Sequence, residues 1–153
     1  MIIGVISDTH GRITNRTLET LQGSELIIHA GDVGNLRVLD ALEDIAPVYG
    51  VRGNTDRERW AQTLPMTRMV EAGGKFIYVI HDIAMLDIDP RAAGVDVIIY
   101  GHSHIPKKDQ KDGVIYFNPG SAGPKRFKLP ICLGRIRLQE DELKFQWVDL
   151  EVK

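Results

Sequence analysis

Short apolar runs recur along the chain, and each gives way to polar residues able to do chemistry. Ile2 to Ser7, Leu26 to Ala30, Val48 to Val51, Phe76 to Ile80 and Val95 to Tyr100 are rich in β-branched residues and bounded by Gly, Asp or Asn, the pattern of buried strands. Between the first three, Ile13 to Gln22 carries Leu18 and Leu21 behind Thr14 as a cap, and Leu36 to Ile45 carries Leu36, Leu39, Ala41, Leu42 and Ile45. Both segments predict short helices. A βαβαβ opening whose strands are almost continuously apolar predicts a parallel sheet covered on both faces.

The second half reads differently. Met66 to Glu71 and Lys75 to Ile80 flank Gly73-Gly74, and Asp112-Gly113 between Lys107 to Lys111 and Val114 to Asn118 is a hairpin signal. Ile131 to Leu138 and Glu142 to Leu150 predict another hairpin, and residues 84 to 94 predict a short helix interrupted at Pro90. The chain shows no repeat, low-complexity tract or linker. Its 153 residues are expected to form one domain, 1–153, a length that buries roughly 68 to 70% of the unfolded chain's surface.

Composition adds mainly exclusions. A net charge of −2 offers no electrostatic support for a nucleic-acid partner. No apolar stretch approaches the roughly 20 residues of a membrane span, and Met1 to Ile6 is too short for a signal peptide, so a cytoplasmic protein is expected. The single Cys132 alternates in phase with Ile136 and Leu138 and reads as a small core residue.

The ends of the strands carry the chemistry. Asp8 and His10 follow the first, Asp32 the second, Asn54 and Asp56 the third, His81 the fourth, and His102 and His104 the fifth. One such residue is ordinarily a cap or a solvated loop position. Five strands ending this way, in a sheet whose carboxyl ends converge on one edge, predict a shared site. Carboxylate, amide and imidazole donors without thiolate suit divalent Mn, Fe, Co, Ni or Zn, and their number suits two ions.

In their order, Asp8-Thr9-His10, Gly31-Asp32, Gly53-Asn54, His81 and Gly101-His102-Ser103-His104, followed by Asn118-Pro119-Gly120-Ser121, resemble the calcineurin-like metallophosphoesterases, specifically their small single-domain bacterial and archaeal phosphodiesterase branch. The resemblance runs almost end to end. It implies an α/β fold of two packed mixed β-sheets flanked by helices. It also implies one ion held by Asp8, His10, Asp32 and His104 and a second by Asp32, Asn54, His81 and His102, with Asp32 bridging and with His102 and His104 pointing the same way from an extended segment. Asp32, Asn54 and His81 then carry the catalytic role through the ions, manganese being the first expectation and nickel, iron, cobalt or zinc the alternatives. The implied reaction is in-line attack of a metal-bridging hydroxide on a small phosphoester. Arg12, Asn35 and Arg126, each just beyond a motif, are candidates to touch substrate.

Two positions depart from the family pattern. Thr55 stands where many members of the wider superfamily have a histidine that protonates the leaving group, which favours esters with good leaving groups and leaves Asp56 to accept a hydrogen bond from a ligand. Asp82 stands where the family usually has glycine, and an inward carboxylate there would lower the positive charge of the ion pair. His29 is expected to support the site or pack rather than ligate, and Trp60 and Trp147 are expected to pack. The leading function is a metal-dependent phosphodiesterase or phosphatase. A protein-binding scaffold of the same fold, resembling a eukaryotic sorting-complex subunit, is the alternative. A nuclease is a third reading, for which this chain has no room for a DNA-gripping domain. Exposed edge strands in the C-terminal half would be compatible with a homodimer.

Overall fold

Ile3 and Val5 alternate with Gly4 and Ile6 along β1 (Ile2–Ile6), so one face of this strand meets a second sheet and the other meets helices. That alternation organises the whole protein. In the computed structural model, which describes residues 1–151, β1 pairs in parallel with β2 (Leu26–His29), and β2 with β3 (Val48–Gly50). The connections are α1 (Asn15–Leu21) and α2 (Leu36–Glu43). Thr14 caps α1 by accepting the Thr17 N–H, as the sequence predicts, and Asn35 caps α2 by accepting that of Val38.

The second sheet is built from β4 (Thr67–Ala72), β5 (Lys75–Ile80), β6 (Val97–Ile99), β7 (Lys107–Lys111) and β8 (Val114–Asn118) in the order β4-β5-β6-β8-β7. Its inner strands β5, β6 and β8 are parallel, and antiparallel β4 and β7 close its edges. β7, Lys-Lys-Asp-Gln-Lys, is exposed throughout, a charged edge that resists further pairing. The chain then returns to the first sheet as β9 (Cys132–Gln139) and β10 (Glu142–Asp149), giving the order β10-β9-β1-β2-β3.

Three apolar layers follow from the period of two. Ile3, Val5, Ile28, Val79, Val97, Ile99 and Phe117 fill the space between the sheets. Ile6, Ile27, Leu133 and Val148 pack against Leu21, Val38 and Leu42 of the helices. Tyr78, Ile80, Ile98 and Tyr100, on the far face of the second sheet, are covered by Ile83, Leu86 and Ile88. The α/β fold of two mixed sheets is thus the one expected, with both α-helices on one outer face. Trp147 stacks on Phe117 at 5.3 Å and donates its indole N–H to the Asn118 carbonyl, Trp60 packs on the helical layer, and Cys132 is buried.

The helix expected over residues 84–94 does not form. Only Ile83–Met85 makes a 3₁₀ turn, and residues 90–94 are irregular turns. Pro90 disfavours helical geometry at Asp89, whose carboxylate instead accepts the Ala92 N–H. A second 3₁₀ turn, Arg59–Thr63, carries no periodic signal in the sequence.

Candidate metal centre

The parallel strands of both sheets end at one rim of the sandwich, and there the predicted ligands meet. Asp8, His10 and His104 form one cluster, and Asp32, His81 and His102 a second. His104 Nε2 lies 3.4 Å from both Asp8 Oδ1 and His10 Nε2, and His10 Nε2 is 4.0 Å from Asp8 Oδ1 and 3.7 Å from Asp32 Oδ2. In the second group, His81 Nε2 is 3.3 Å from Asp32 Oδ2 and 3.0 Å from Asn54 Oδ1, which is 3.2 Å from His102 Nδ1. Donors held about 2.1 Å from one tetrahedral ion stand about 3.4 Å from each other, so both groups have the spacing of a ligand shell. Asp32 Oδ2 faces both groups.

The donors also have the right polarity. Asp8 directs Oδ2 toward the Ser7 hydroxyl and the His102 N–H, which leaves Oδ1 buried without a partner and turned to the site. His81 donates Nδ1–H to the Ala30 carbonyl at 2.7 Å, so its Nε2 lone pair confronts the Asn54 and Asp32 oxygens. Lone pairs converging on one point are stabilised by a cation. The His81 pKa is raised for the same reason: burial pushes it down, but the Asp32 and Asp8 carboxylates and the Ala30 carbonyl outweigh burial, and a proton answers in part for an ion. Burial holds His10 low against the pull of Asp32 and Asp8, with His104 and Arg126 adding to the lowering, so its Nε2 is free to ligate near neutrality. Burial raises the Asp8 and Asp32 carboxyls, yet hydrogen bonds and charge from His104 and His81 leave both below their usual range and ionised.

The backbone is contorted to achieve this. Asp8, His10, Asp32, His102 and His104 all have φ between 47° and 73°, a region disfavoured for side chains with Cβ. His102 and His104 therefore do not leave the extended segment that the resemblance implied; two left-handed residues turn both rings to the same rim. Close approach by glycine permits the packing. A Cβ on Gly53 would stand 2.1 Å from Asp32 Oδ1, and one on Gly101 2.1 Å from Ser7 Oγ.

Residues around the ligands hold these turns. Asp56 is buried and accepts the backbone N–H groups of Val33, Gly34 and Gly53 at 3.0 to 3.1 Å. It therefore ties the Asp32 loop to the Asn54 loop rather than accepting from a ligand side chain, because both of its oxygens are taken up by these backbone N–H groups. Thr55 itself donates its backbone N–H to Asp32 Oδ1. His29, fully buried, accepts the Gly31 N–H at Nδ1, and its Nε2 meets the Thr9 hydroxyl, whose own proton goes to the Val33 carbonyl. This chain assigns the neutral Nε2–H tautomer; burial pushes its pKa down to about 4. Asn118 donates to the Gly101 carbonyl and Ser103 Oγ, and Ser121 to the Asp8 carbonyl, so the Asn-Pro-Gly-Ser segment braces both ligand loops. Thr9 and Ser103 carried no sequence signal for these roles, since their partners His29, Val33 and Asn118 lie 15 to 24 positions along the chain.

The candidate substrate contacts are placed differently from one another. Arg126 is exposed with its charge felt at His10, and Arg12 is exposed beside Gly11 and Asn35. Asn35 uses its Oδ1 on the α2 cap and its Nδ2 on the Gly11 carbonyl, so its amide is engaged locally. Asp82 commits Oδ1 to the Ala84 N–H, while Oδ2 stands 3.8 Å from His102 Nε2, outside the donor group.

A profile of the calcineurin-like phosphoesterase superfamily domain matches residues 1–141. The chain belongs to that superfamily. Its members use divalent metals, in keeping with the donor groups described above. Over 164 residues it is 34% identical to a probable metallophosphoesterase of Methanocaldococcus jannaschii, covering 99% of this chain and 82% of that protein. It is 28% identical to phosphodiesterase YfcE of Escherichia coli over 155 residues, 85% of this chain and 84% of the relative. Among solved structures, a novel archaeal phosphodiesterase superposes with a TM-score of 0.80 at 25% identity, over 97% of this chain and 100% of that one. Vps29 of Entamoeba histolytica, complexed with Zn²⁺, superposes with a TM-score of 0.75 at 23% identity over 99% of this chain and 100% of its own, a likeness of fold. Among the described residues, no helix is long and apolar enough to cross a membrane.

Proposed function

We propose that this metallophosphoesterase is a dinuclear phosphodiesterase acting on a small phosphoester, with Asp8, His10, Asp32 and His104 holding one divalent ion and Asp32, Asn54, His81 and His102 the other. The observation that carries the reading is the position of Asp32 Oδ2, which faces His10 on one side and His81 on the other at 3.7 and 3.3 Å. When bound, the ions supply Lewis acidity toward the phosphoryl oxygens and a hydroxide nucleophile at neutral pH. The chain's own part is positional. His81 is held by Ala30, Asp8 by Ser7 and the His102 N–H, and Asp32 by Thr55, so the donors need little rearrangement on loading. Two carboxylates against two dications leave the rim positive and attract an anionic ester. With Thr55 in place of an imidazole, esters with good leaving groups are preferred.

Manganese-dependent hydrolysis of bis(p-nitrophenyl) phosphate tests the proposal, with a loss of at least about a hundredfold expected in Asp32→Ala. Equal rates in that variant, or no turnover with Mn, Ni, Co or Zn, would overturn it. A binding scaffold is the second reading and draws on the Vps29-like fold. It predicts one stoichiometric protein partner and no loss of that binding in Asp32→Ala.

A further inference from the structure

Beside the ligand cluster lies a groove of about 430 Å³, within the size range of small-molecule sites. Asn54 and His81 form its inner end, so it opens directly from the second ligand group. Its wall is apolar: Ile80 lies along it, and Met66 and Met85 stand over it, 58% and 70% exposed. Exposed methionines beside a site are adaptable apolar contacts, able to close on flat or chain-like groups. Arg52 donates Nε–H to the Met66 sulfur at 3.3 Å, and a second guanidinium N–H goes to Gln62. The charges at the groove are Asp82 and Asp87 against the single Arg52, an excess of one negative charge. A second anionic group on the substrate is therefore unwelcome here.

Resting on the phosphodiesterase reading above, we propose that this groove is the specificity pocket for the ester substituent and takes an uncharged aryl or alkyl group. The phosphoryl group at the ligand cluster and an apolar substituent along Ile80, Met66 and Met85 form one continuous site.

The test is calorimetric binding of phenylphosphonate and methylphosphonate to the manganese-loaded protein, needing no turnover. Phenylphosphonate is expected to bind at least about tenfold tighter in the wild type, as burial of a ring requires. In Met66→Ser/Met85→Ser that preference falls to within about twofold, while methylphosphonate, which reaches only the ligand cluster, keeps its affinity. Both methionines are on the surface, so the variant folds, which a thermal melt confirms. Equal binding of the two phosphonates in the wild type, or an undiminished phenyl preference in the double variant, overturns the pocket. Failure to hydrolyse any diester, with the phenyl preference intact, overturns the phosphodiesterase reading instead.

Discussion

Replacing Asp56 by Asn tests whether a carboxylate that touches no ligand side chain governs the centre. In the wild type, Oδ2 accepts from Val33 and Gly53 and Oδ1 from Gly34, on a side chain that is only 3% exposed. Hydrogen bonds to a charged group contribute about 1.5 to 3 kcal/mol each, against about 1 kcal/mol for neutral ones. In the best orientation the amide oxygen keeps two of the three bonds without their charge, and the NH₂ group is set against a backbone N–H. Losing one charged bond and weakening two predicts a loss of about 3 to 5 kcal/mol. A domain with about 5 to 15 kcal/mol of stability survives that, so the variant is measurable. Urea denaturation of chelator-treated protein should show a lower midpoint at an unchanged m-value. Val33 and Gly53 adjoin Asp32 and Asn54, so manganese affinity should also fall about 10 to 100-fold. A loss below about 1 kcal/mol with unchanged affinity would refute the argument, since it would mean that the three N–H groups find other acceptors.

Two further outcomes are expected. His29 is neutral in the fold with a pKa of about 4 and ordinary when unfolded, so the unfolded chain binds the extra proton as pH falls. Its contribution is therefore full above about pH 6.5 and lost toward pH 4, by about 3 kcal/mol in chelator-treated protein, whereas His29→Gln lacks that slope; a wild-type-minus-variant difference that stays flat over this range contradicts the burial of His29 in its neutral form. Gly53→Ala drives a methyl into Asp32 Oδ1 and N at 2.1 and 2.2 Å, so at least about tenfold weaker manganese binding is expected by calorimetry, and wild-type affinity would show that this approach is dispensable.

Much of the site was legible because each candidate ligand lies within five residues of the end of a strand, and strands of a parallel sheet deliver their ends to one rim. His81 after β5 and Asp32 just beyond β2 could be placed from the run of Val and Ile alone. The groove was not legible, because Met66, Ile80 and Met85 carry no motif and adjoin only once β4 pairs with β5. Nor was the expected helix at 84–94 avoidable by pattern, since its apolar residues serve to cover the outer face of the second sheet.

By itself, the sequence determined which residues are donors, their order, and the alternation that buries Ile3, Val5, Val97 and Ile99 between two sheets. Those features depend on residue type and on a period of two, both of which are local. Tertiary structure alone decided that Asp32 Oδ2 would face both clusters, that Asp56 would answer backbone rather than imidazole, and that five ligands would sit at positive φ. Such placements depend on contacts between loops 20 or more positions apart, and a disfavoured backbone angle persists only where the surrounding packing holds it.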